Sequence, residues 1–259
     1  MRFYKLSAVF AAFLICLLAG CQSPQESPDA SATPKATATA SPTEKPEPSA
    51  EPEATPTPAP TESSEPQSSK GSASNICFEN SAFVGNSMLE DLNMFGIIDN
   101  ADFYAKTGLT VTSAFKEKTV DGTAPIMDEV LAGNYEKVFL MFGLNELGWS
   151  YSDVFVQDYG KIIDTLRQAN SDVKIYVQSL FPVSKERSDK NLYGVTNERI
   201  VGYNNMLKKL CDEKGVKYID VYSAMVTEDG VLEDGASPDG VHPNMQYCET
   251  WVQYLRDHC

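Results

Sequence analysis

The sequence is poor in the residues that bind metals. It has two histidines, His242 and His258, among 259 residues, and no CxxC motif or cluster of histidines with cysteines. A structural zinc site needs four such ligands at short spacings, so this pattern argues against a zinc-binding module. The sequence implies no metal and no organic cofactor.

Basic residues are also scarce. The chain has 21 Lys and Arg against 36 Asp and Glu, which gives a formal charge of −15. An acidic surface repels nucleic acid and anionic lipid, so we expect neither as the main partner. We expect a monomer whose partner is a small ester or a modified glycan, with any membrane contact made through a lipid anchor.

No long hydrophobic run is present, and the apolar stretch near the N terminus is short. Arg2 and Lys5 precede an apolar run at 6–19, which is typical of a secretory signal rather than of a permanent membrane span. The run ends in Leu-Ala-Gly followed by Cys21, which resembles a bacterial lipobox. This resemblance implies a lipid on Cys21 and an exported chain held at the outer face of the cell membrane. An ordinary signal peptide that happens to carry a cysteine is the alternative.

Residues 21–75 contain almost nothing apolar to bury. Eleven of the fifteen prolines lie between Pro24 and Pro66, among Ser, Thr, Ala and Glu. Such a composition prevents a packed core and predicts a disordered tether. The sequence therefore divides into a signal peptide at 1–20, a lipid-anchored linker at 21–75 and one domain at 76–259, which is long enough to bury a core.

Four cysteines fall in this domain, where export permits oxidation. Cys248 and Cys259 lie in one predicted helix about three turns apart, too far to bond to each other. This spacing favours Cys77 paired with Cys259 and Cys211 paired with Cys248. Buried free thiols are the alternative.

Short apolar runs alternate with amphipathic stretches through the whole domain. Runs such as VFLMF are apolar throughout, as burial on both faces of a strand requires. The pattern predicts strands at 81–84, 102–105, 137–142, 174–180 and 217–221. It predicts helices at 87–95, 124–132, 152–169, 197–214 and 244–258. Strands joined by crossover helices form a parallel sheet, so we expect a flavodoxin-like, doubly wound α/β/α fold of three layers.

Polar residues interrupt the chain at the ends of three predicted strands. Gly85-Asn86-Ser87 follows the first strand, Gly143-Leu144-Asn145-Glu146 follows the third, and a loop after the fifth carries Asp239 and His242. Taken alone, Gly-Asn-Ser is an ordinary turn with a helix cap. However, the carboxyl ends of parallel strands meet at one edge of the sheet, which predicts that these loops converge.

The converging residues have the chemistry of a nucleophilic site. A serine hydroxyl needs an imidazole to accept its proton, and a carboxylate fixes the tautomer of that imidazole. Ser87, His242 and Asp239 are the candidates. Acyl transfer also needs donors for an oxyanion, which the Asn145 amide and the N–H groups of Gly108 and Ser87 can supply.

These residues resemble the four sequence blocks of the SGNH hydrolases, also called GDSL-type esterases. The serine block is Gly85-Asn86-Ser87, the glycine block contains Gly108 in YAKTGLTV, the asparagine block is residues 143–146, and Asp239 and His242 form the terminal block. All four occur in family order across residues 81–245. The resemblance implies attack by Ser87 on an ester carbonyl, with His242 as base and acid, Asp239 as its orienting partner, and Ser87, Gly108 and Asn145 as the oxyanion hole.

Two positions depart from the family pattern, which usually has Asp where Asn86 and Glu146 stand. Neither position is the nucleophile or the base, so we expect activity to be retained. Asn keeps the reach that holds the turn, and Glu146 is interpreted as a partner of a backbone group or a cation. Trp149 and Tyr151 follow the same loop and either form an aromatic wall for substrate or cover the core.

Three functions are compatible with these residues. The placement outside the membrane favours a serine esterase that removes small acyl groups, most plausibly acetyl, from carbohydrate. A lysophospholipase or thioesterase acting on long-chain esters uses the same chemistry on a different substrate. A non-catalytic surface binding module that keeps the fold is the third.

Overall fold

A computed structural model describes residues 77–259. The proposed signal peptide, the Cys21 anchor and the tether lie outside the described residues. Within these residues there are five strands: β1 Ser81–Gly85, β2 Asp102–Ala105, β3 Lys137–Met141, β4 Lys174–Gln178 and β5 Lys217–Ile219. The α-helices are α1 Ser87–Met94, α2 Ile126–Gly133, α3 Ser152–Ala169, α4 Lys185–Lys190, α5 Asn197–Lys214 and α6 Met245–His258. Short 3-10 turns occur at Ser113–Phe115, Leu192–Gly194 and Val221–Ala224.

The strands form one parallel sheet in the order β2-β1-β3-β4-β5. Helices α2, α3 and α5 pack side by side on one face, while α1 and α6 lie near each other on the other face. This arrangement confirms the predicted doubly wound fold of three layers. The strand order reverses between β1 and β3, so their following loops leave a crevice at the carboxyl edge of the sheet.

β1 is buried along its whole length and ends in close contact with β3. Its residues Ala82, Phe83 and Val84 are inaccessible to solvent, and the Phe83 ring stacks on Phe139 of β3 at 4.6 Å. Gly85 pairs with Met141, and a Cβ atom at Gly85 would lie only 2.2 Å from the Met141 carbonyl oxygen. A glycine is therefore required where β1 enters the crevice.

Several element ends differ from the sequence prediction by one or two residues. β3, β4 and β5 end before the apolar run does, because Phe142, Leu180 and Val221 stay buried after leaving the ladder. Hydrophobic pattern reports burial rather than strand pairing, so it cannot locate those ends.

The sequence pattern does not predict helix α4. Its residues, KERSDK, include no buried side chain and so have no apolar periodicity. The helix begins after Ser184, whose hydroxyl accepts a hydrogen bond from the Arg187 N–H at 3.2 Å. This short polar helix forms part of the wall of the crevice.

One of the two predicted disulfide bonds is present. Cys77 and Cys259 form a disulfide that joins the two ends of the described residues, with Cα atoms 6.1 Å apart. Cys211 and Cys248 are buried free thiols, so their predicted bond is wrong. Cys211 lies on α5 and Cys248 on α6, and the sheet separates these helices. Burial raises the pKa of each free thiol to about 12.

Candidate active site

Ser87 is the first residue of α1, directly after the buried strand β1. Asn86 caps this helix: its backbone is extended, and its side-chain oxygen accepts a hydrogen bond from the Met88 N–H at 3.1 Å. The Asn86 side chain is fully buried, and its Nδ2 atom has no hydrogen-bond partner among the described residues. Gly-Asn-Ser thus ends a strand, caps a helix and presents the serine at the crevice.

Ser87 and His242 are in hydrogen-bond contact although 155 residues separate them. The Ser87 hydroxyl oxygen lies 2.9 Å from Nε2 of His242, and Nδ1 of the same ring lies 2.7 Å from Oδ2 of Asp239. Because a carboxylate can only accept, Nδ1 carries the proton that it donates to Asp239. In the neutral ring, Nε2 is then an acceptor facing the serine hydroxyl.

Asp239 is held in place by its own loop. Its Oδ1 accepts hydrogen bonds from the backbone N–H of His242 at 2.8 Å and of Val241 at 2.9 Å, and from the Ser237 hydroxyl at 3.0 Å. Partial burial raises the pKa of this carboxyl, but the hydrogen bonds from His242 and Val241 outweigh burial and hold the pKa well below its usual range. Asp239 is therefore ionised at neutral pH.

Gly108 and Asn145 line the same crevice as the histidine loop. Gly108 follows β2 in a left-handed conformation, with φ +78°, that favours glycine. The Asn145 amide nitrogen donates a hydrogen bond to the Leu109 carbonyl at 2.9 Å, which leaves its second N–H for another acceptor. Both residues line the same cavity as Ser87, Asp239 and His242, so the structure brings all five predicted site residues of the domain together.

Glu146 is a buried carboxyl beside this site. Its Oε1 accepts from the Val111 N–H at 2.8 Å and its Oε2 from the Gly143 N–H at 3.1 Å. The side chain is inaccessible to solvent, and burial raises its pKa to about 7 despite these hydrogen bonds. Glu146 thereby ties the loop after β2 to the loop after β3, which confirms that it pairs with backbone groups.

The cavity at the site has a volume of ≈ 860 Å³. Most of the residues that line it are of polar or charged type. The segment at 184–190 contributes Ser184, Glu186, Arg187 and Lys190, and the loop at 233–237 contributes Glu233, Asp234 and Ser237. Apolar lining comes from Leu144, Leu192, Val195, Pro238 and Val241. Within the described residues, no group of His, Cys, Asp and Glu is arranged to hold a metal ion.

The aromatic residue at the cavity differs from the two singled out in the sequence. Trp149 packs against the core and Tyr151 is exposed, and neither lines the cavity. Tyr193, in the turn after α4, does. It follows a segment without hydrophobic periodicity, so the sequence pattern gave no signal that could place it.

A comparison with known protein families identifies the family of this chain. The model of the GDSL-like Lipase/Acylhydrolase family matches residues 92–246, more than half of the chain. The chain belongs to this family. Because the members of this family are ester hydrolases, the protein is an ester hydrolase. The match begins after Ser87 and does not include it, so the evidence on Ser87 is its contact with His242.

Solved structures with this GDSL fold are similar to the chain at low sequence identity. A candidate platelet activating factor from Streptococcus pneumonia has a TM-score of 0.57 at 18% identity, covering 71% of this chain and 88% of its own. A GDSL-like lipase from Bacteroides thetaiotaomicron has a TM-score of 0.54 at 16% identity, covering 71% and 92%. A carbohydrate esterase of family 3 from Talaromyces cellulolyticus has a TM-score of 0.51 at 16% identity, covering 70% and 95%. No curated protein sequence matches the chain.

Proposed function

We propose that this chain is a serine esterase that removes small acyl groups, acetyl above all, from carbohydrate through an acyl-enzyme. The observation that carries the proposal is the contact of Ser87 with His242 at 2.9 Å and of His242 with Asp239 at 2.7 Å. This order of hydroxyl, imidazole and carboxylate is what an activated serine nucleophile requires.

In the first half of the proposed reaction, the Ser87 oxygen attacks the ester carbonyl carbon while Nε2 of His242 takes the hydroxyl proton. The carbonyl oxygen becomes an oxyanion, which the N–H groups of Ser87 and Gly108 and the free amide hydrogen of Asn145 stabilise. The intermediate collapses when the carbon–oxygen bond to the sugar breaks and His242 gives its proton to the departing oxygen. The acyl group is then esterified to Ser87.

In the second half, a water molecule attacks the acyl-enzyme and His242 again accepts a proton. The bond to the Ser87 oxygen breaks, His242 returns the proton to that oxygen, and a carboxylic acid leaves. Asp239 keeps the imidazole in one tautomer throughout and stabilises its charged form. No cofactor enters this scheme.

The lining of the cavity supports a carbohydrate rather than a long acyl chain. Cavities for apolar ligands are lined mainly by hydrophobic and aromatic side chains, whereas hydroxyl, carboxylate and cationic groups are among the residues that line this one. Such groups match the many hydroxyls of a sugar. The similar fold of a carbohydrate esterase is consistent with this substrate class.

Two measurements test the proposal together. A fluorophosphonate probe is expected to label the wild-type protein on Ser87 and to leave Ser87→Ala unlabelled. The wild type is expected to release acetate from acetylated xylan or peptidoglycan and to prefer short chains in a series of nitrophenyl esters. Absence of labelling favours the binding-module alternative, while a preference for long chains favours a lysophospholipase or thioesterase.

The cellular location is a separate proposal that rests on residues 1–21. We infer that Cys21 is lipid-modified and holds the domain outside the membrane. Within the described residues, no helix has the length and apolar character that a membrane span needs. Labelled palmitate is expected to be incorporated by the full chain in a bacterial host and not by Cys21→Ser. Equal labelling of both would contradict the anchor.

A further inference from the structure

Tyr193 is the most exposed large aromatic side chain at the candidate active site. It keeps 88% of its surface accessible, although it lines the cavity that also contains Ser87 and His242. Its neighbour Leu192 is half-exposed and lines the same cavity. Neither side chain contributes appreciably to the core, so burial does not explain an apolar pair at this rim.

The backbone of Tyr193 is held in a conformation that disfavours its side chain. Its φ is +59° and its ψ is 24°, which is the left-handed region. Asn and Gly occupy this region readily, whereas a bulky aromatic residue there is strained. Strain of this kind persists where the surroundings impose it, and it concentrates at functional sites.

The surroundings of this turn impose its conformation through close backbone packing. A Cβ atom at Gly148 would lie 2.5 Å from the Tyr193 carbonyl oxygen, and one at Gly194 would lie 2.7 Å from the Gly148 Cα atom. The two segments therefore touch along their main chains. Arg199 of α5 secures the contact by donating a hydrogen bond from Nη1 to the Leu147 carbonyl at 2.7 Å.

The turn is thereby fixed to the loop that carries Asn145. The two segments meet at Gly148, three residues beyond Asn145 in the same loop. Tyr193 thus has a defined place relative to the reacting centre, while its ring stays open to solvent. Within residues 77–259, the Tyr193 hydroxyl has no hydrogen-bond partner.

We propose that Tyr193 is a specificity-determining residue whose ring packs against a sugar ring of the acylated glycan. The proposal rests on the proposed function and names the group that recognises its substrate. The face of an aromatic ring is electronegative and attracts the C–H groups on the apolar face of a pyranose. The cavity extends from Ser87 to Tyr193, so the acyl group can reach the serine while the sugar covers the tyrosine.

The test compares substrates that differ only beyond the reacting ester. Initial rates are measured on an acetylated xylo-oligosaccharide and on nitrophenyl acetate, with the full-length protein and its variants. Tyr193→Ala is expected to lose about five- to tenfold more kcat/KM on the oligosaccharide than on nitrophenyl acetate, mainly through a higher KM. Tyr193→Phe and Tyr193→Trp, which keep an aromatic face, are expected to retain most of the oligosaccharide activity.

Tyr151→Ala is the matched control, since Tyr151 is 76% exposed and lies outside the cavity lining. It is expected to leave both rates unchanged. Thermal melts of all variants separate loss of fold from loss of recognition. The inference is overturned if Tyr193→Ala lowers kcat/KM equally on both substrates or lowers it on neither. It is also overturned if Tyr193→Phe lowers kcat/KM on the oligosaccharide as much as Tyr193→Ala does.

The activity of the wild-type protein on the two substrates distinguishes failure of this inference from failure of the proposed function. Deacetylation of the oligosaccharide by the wild type and by Tyr193→Ala at equal rates overturns the inference and leaves the proposed function standing. Hydrolysis of nitrophenyl acetate alone overturns the carbohydrate substrate, and the inference with it. No hydrolysis of either substrate overturns the esterase itself.

Discussion

Glu146 gives a quantitative prediction about stability and pH. The carboxyl is inaccessible to solvent, and burial raises its pKa from an ordinary value of 4.5 to about 7 in the folded protein. The folded state therefore holds the Glu146 proton more tightly than the unfolded chain does. The stabilisation that this proton provides is complete below pH 4.5 and is lost as the pH rises through about 7.

The size of the effect follows from the shift in pKa. Each pKa unit corresponds to about 1.4 kcal/mol, so a shift from 4.5 to about 7 represents about 3 kcal/mol. Glu146→Gln removes the titration and keeps the volume of the side chain. The amide group faces an N–H of Val111 or Gly143 in place of one carboxylate oxygen, which imposes a cost that does not vary with pH.

The assay is urea unfolding of wild type and Glu146→Gln at several pH values between 4 and 8.5. The free energy of unfolding of the wild type is expected to fall by about 3 kcal/mol relative to the variant across this range. Titration of Asp239 and the other carboxyls cancels in the difference. Glu228→Gln, at an exposed position, is the control: a flat difference for this variant shows that loss of a surface carboxylate does not by itself produce the slope. A flat difference for Glu146→Gln as well would refute the reasoning.

Three further changes have expected outcomes. Asn145→Ala removes the proposed oxyanion donor together with its hydrogen bond to the Leu109 carbonyl. It is expected to lower kcat on nitrophenyl acetate about a hundredfold and the melting temperature by only a few degrees; wild-type turnover would exclude the oxyanion role. Breaking the Cys77–Cys259 bond with serine at both positions frees a loop that spans 182 positions in the sequence. The chain-entropy relation gives a loss of about 5 kcal/mol, seen as a melting temperature lower by about 10–20 °C, and a melt insensitive to the bond would contradict it. Gly85→Ala forces a Cβ atom to within 2.2 Å of the Met141 carbonyl oxygen and is expected to destabilise the protein by about 1–3 kcal/mol. An unchanged melting temperature would mean that β1 and β3 can move apart to accept the methyl group at no cost.

The sequence by itself predicted the sheet and the residues that meet at its edge. Short apolar runs located all five strands, and the signal is clearest in the three central strands, where burial on both faces leaves a continuous apolar pattern. Ser87, Asn145, Asp239 and His242 were found because each is a reactive side chain placed just after a strand or just before a helix. Parallel topology then requires those positions to meet.

Tertiary structure alone decided what the sequence pattern cannot record. The separation of Cys211 from Cys248 depends on which face of the sheet each helix covers. The spacing of the cysteines in the sequence carries no information about these faces. Helix α4 and Tyr193 form part of the cavity with exposed residues, which leave no hydrophobic period. The raised pKa of Glu146 arises because loops distant in sequence bury its carboxyl. The residues next to Glu146 in the sequence do not reveal that burial.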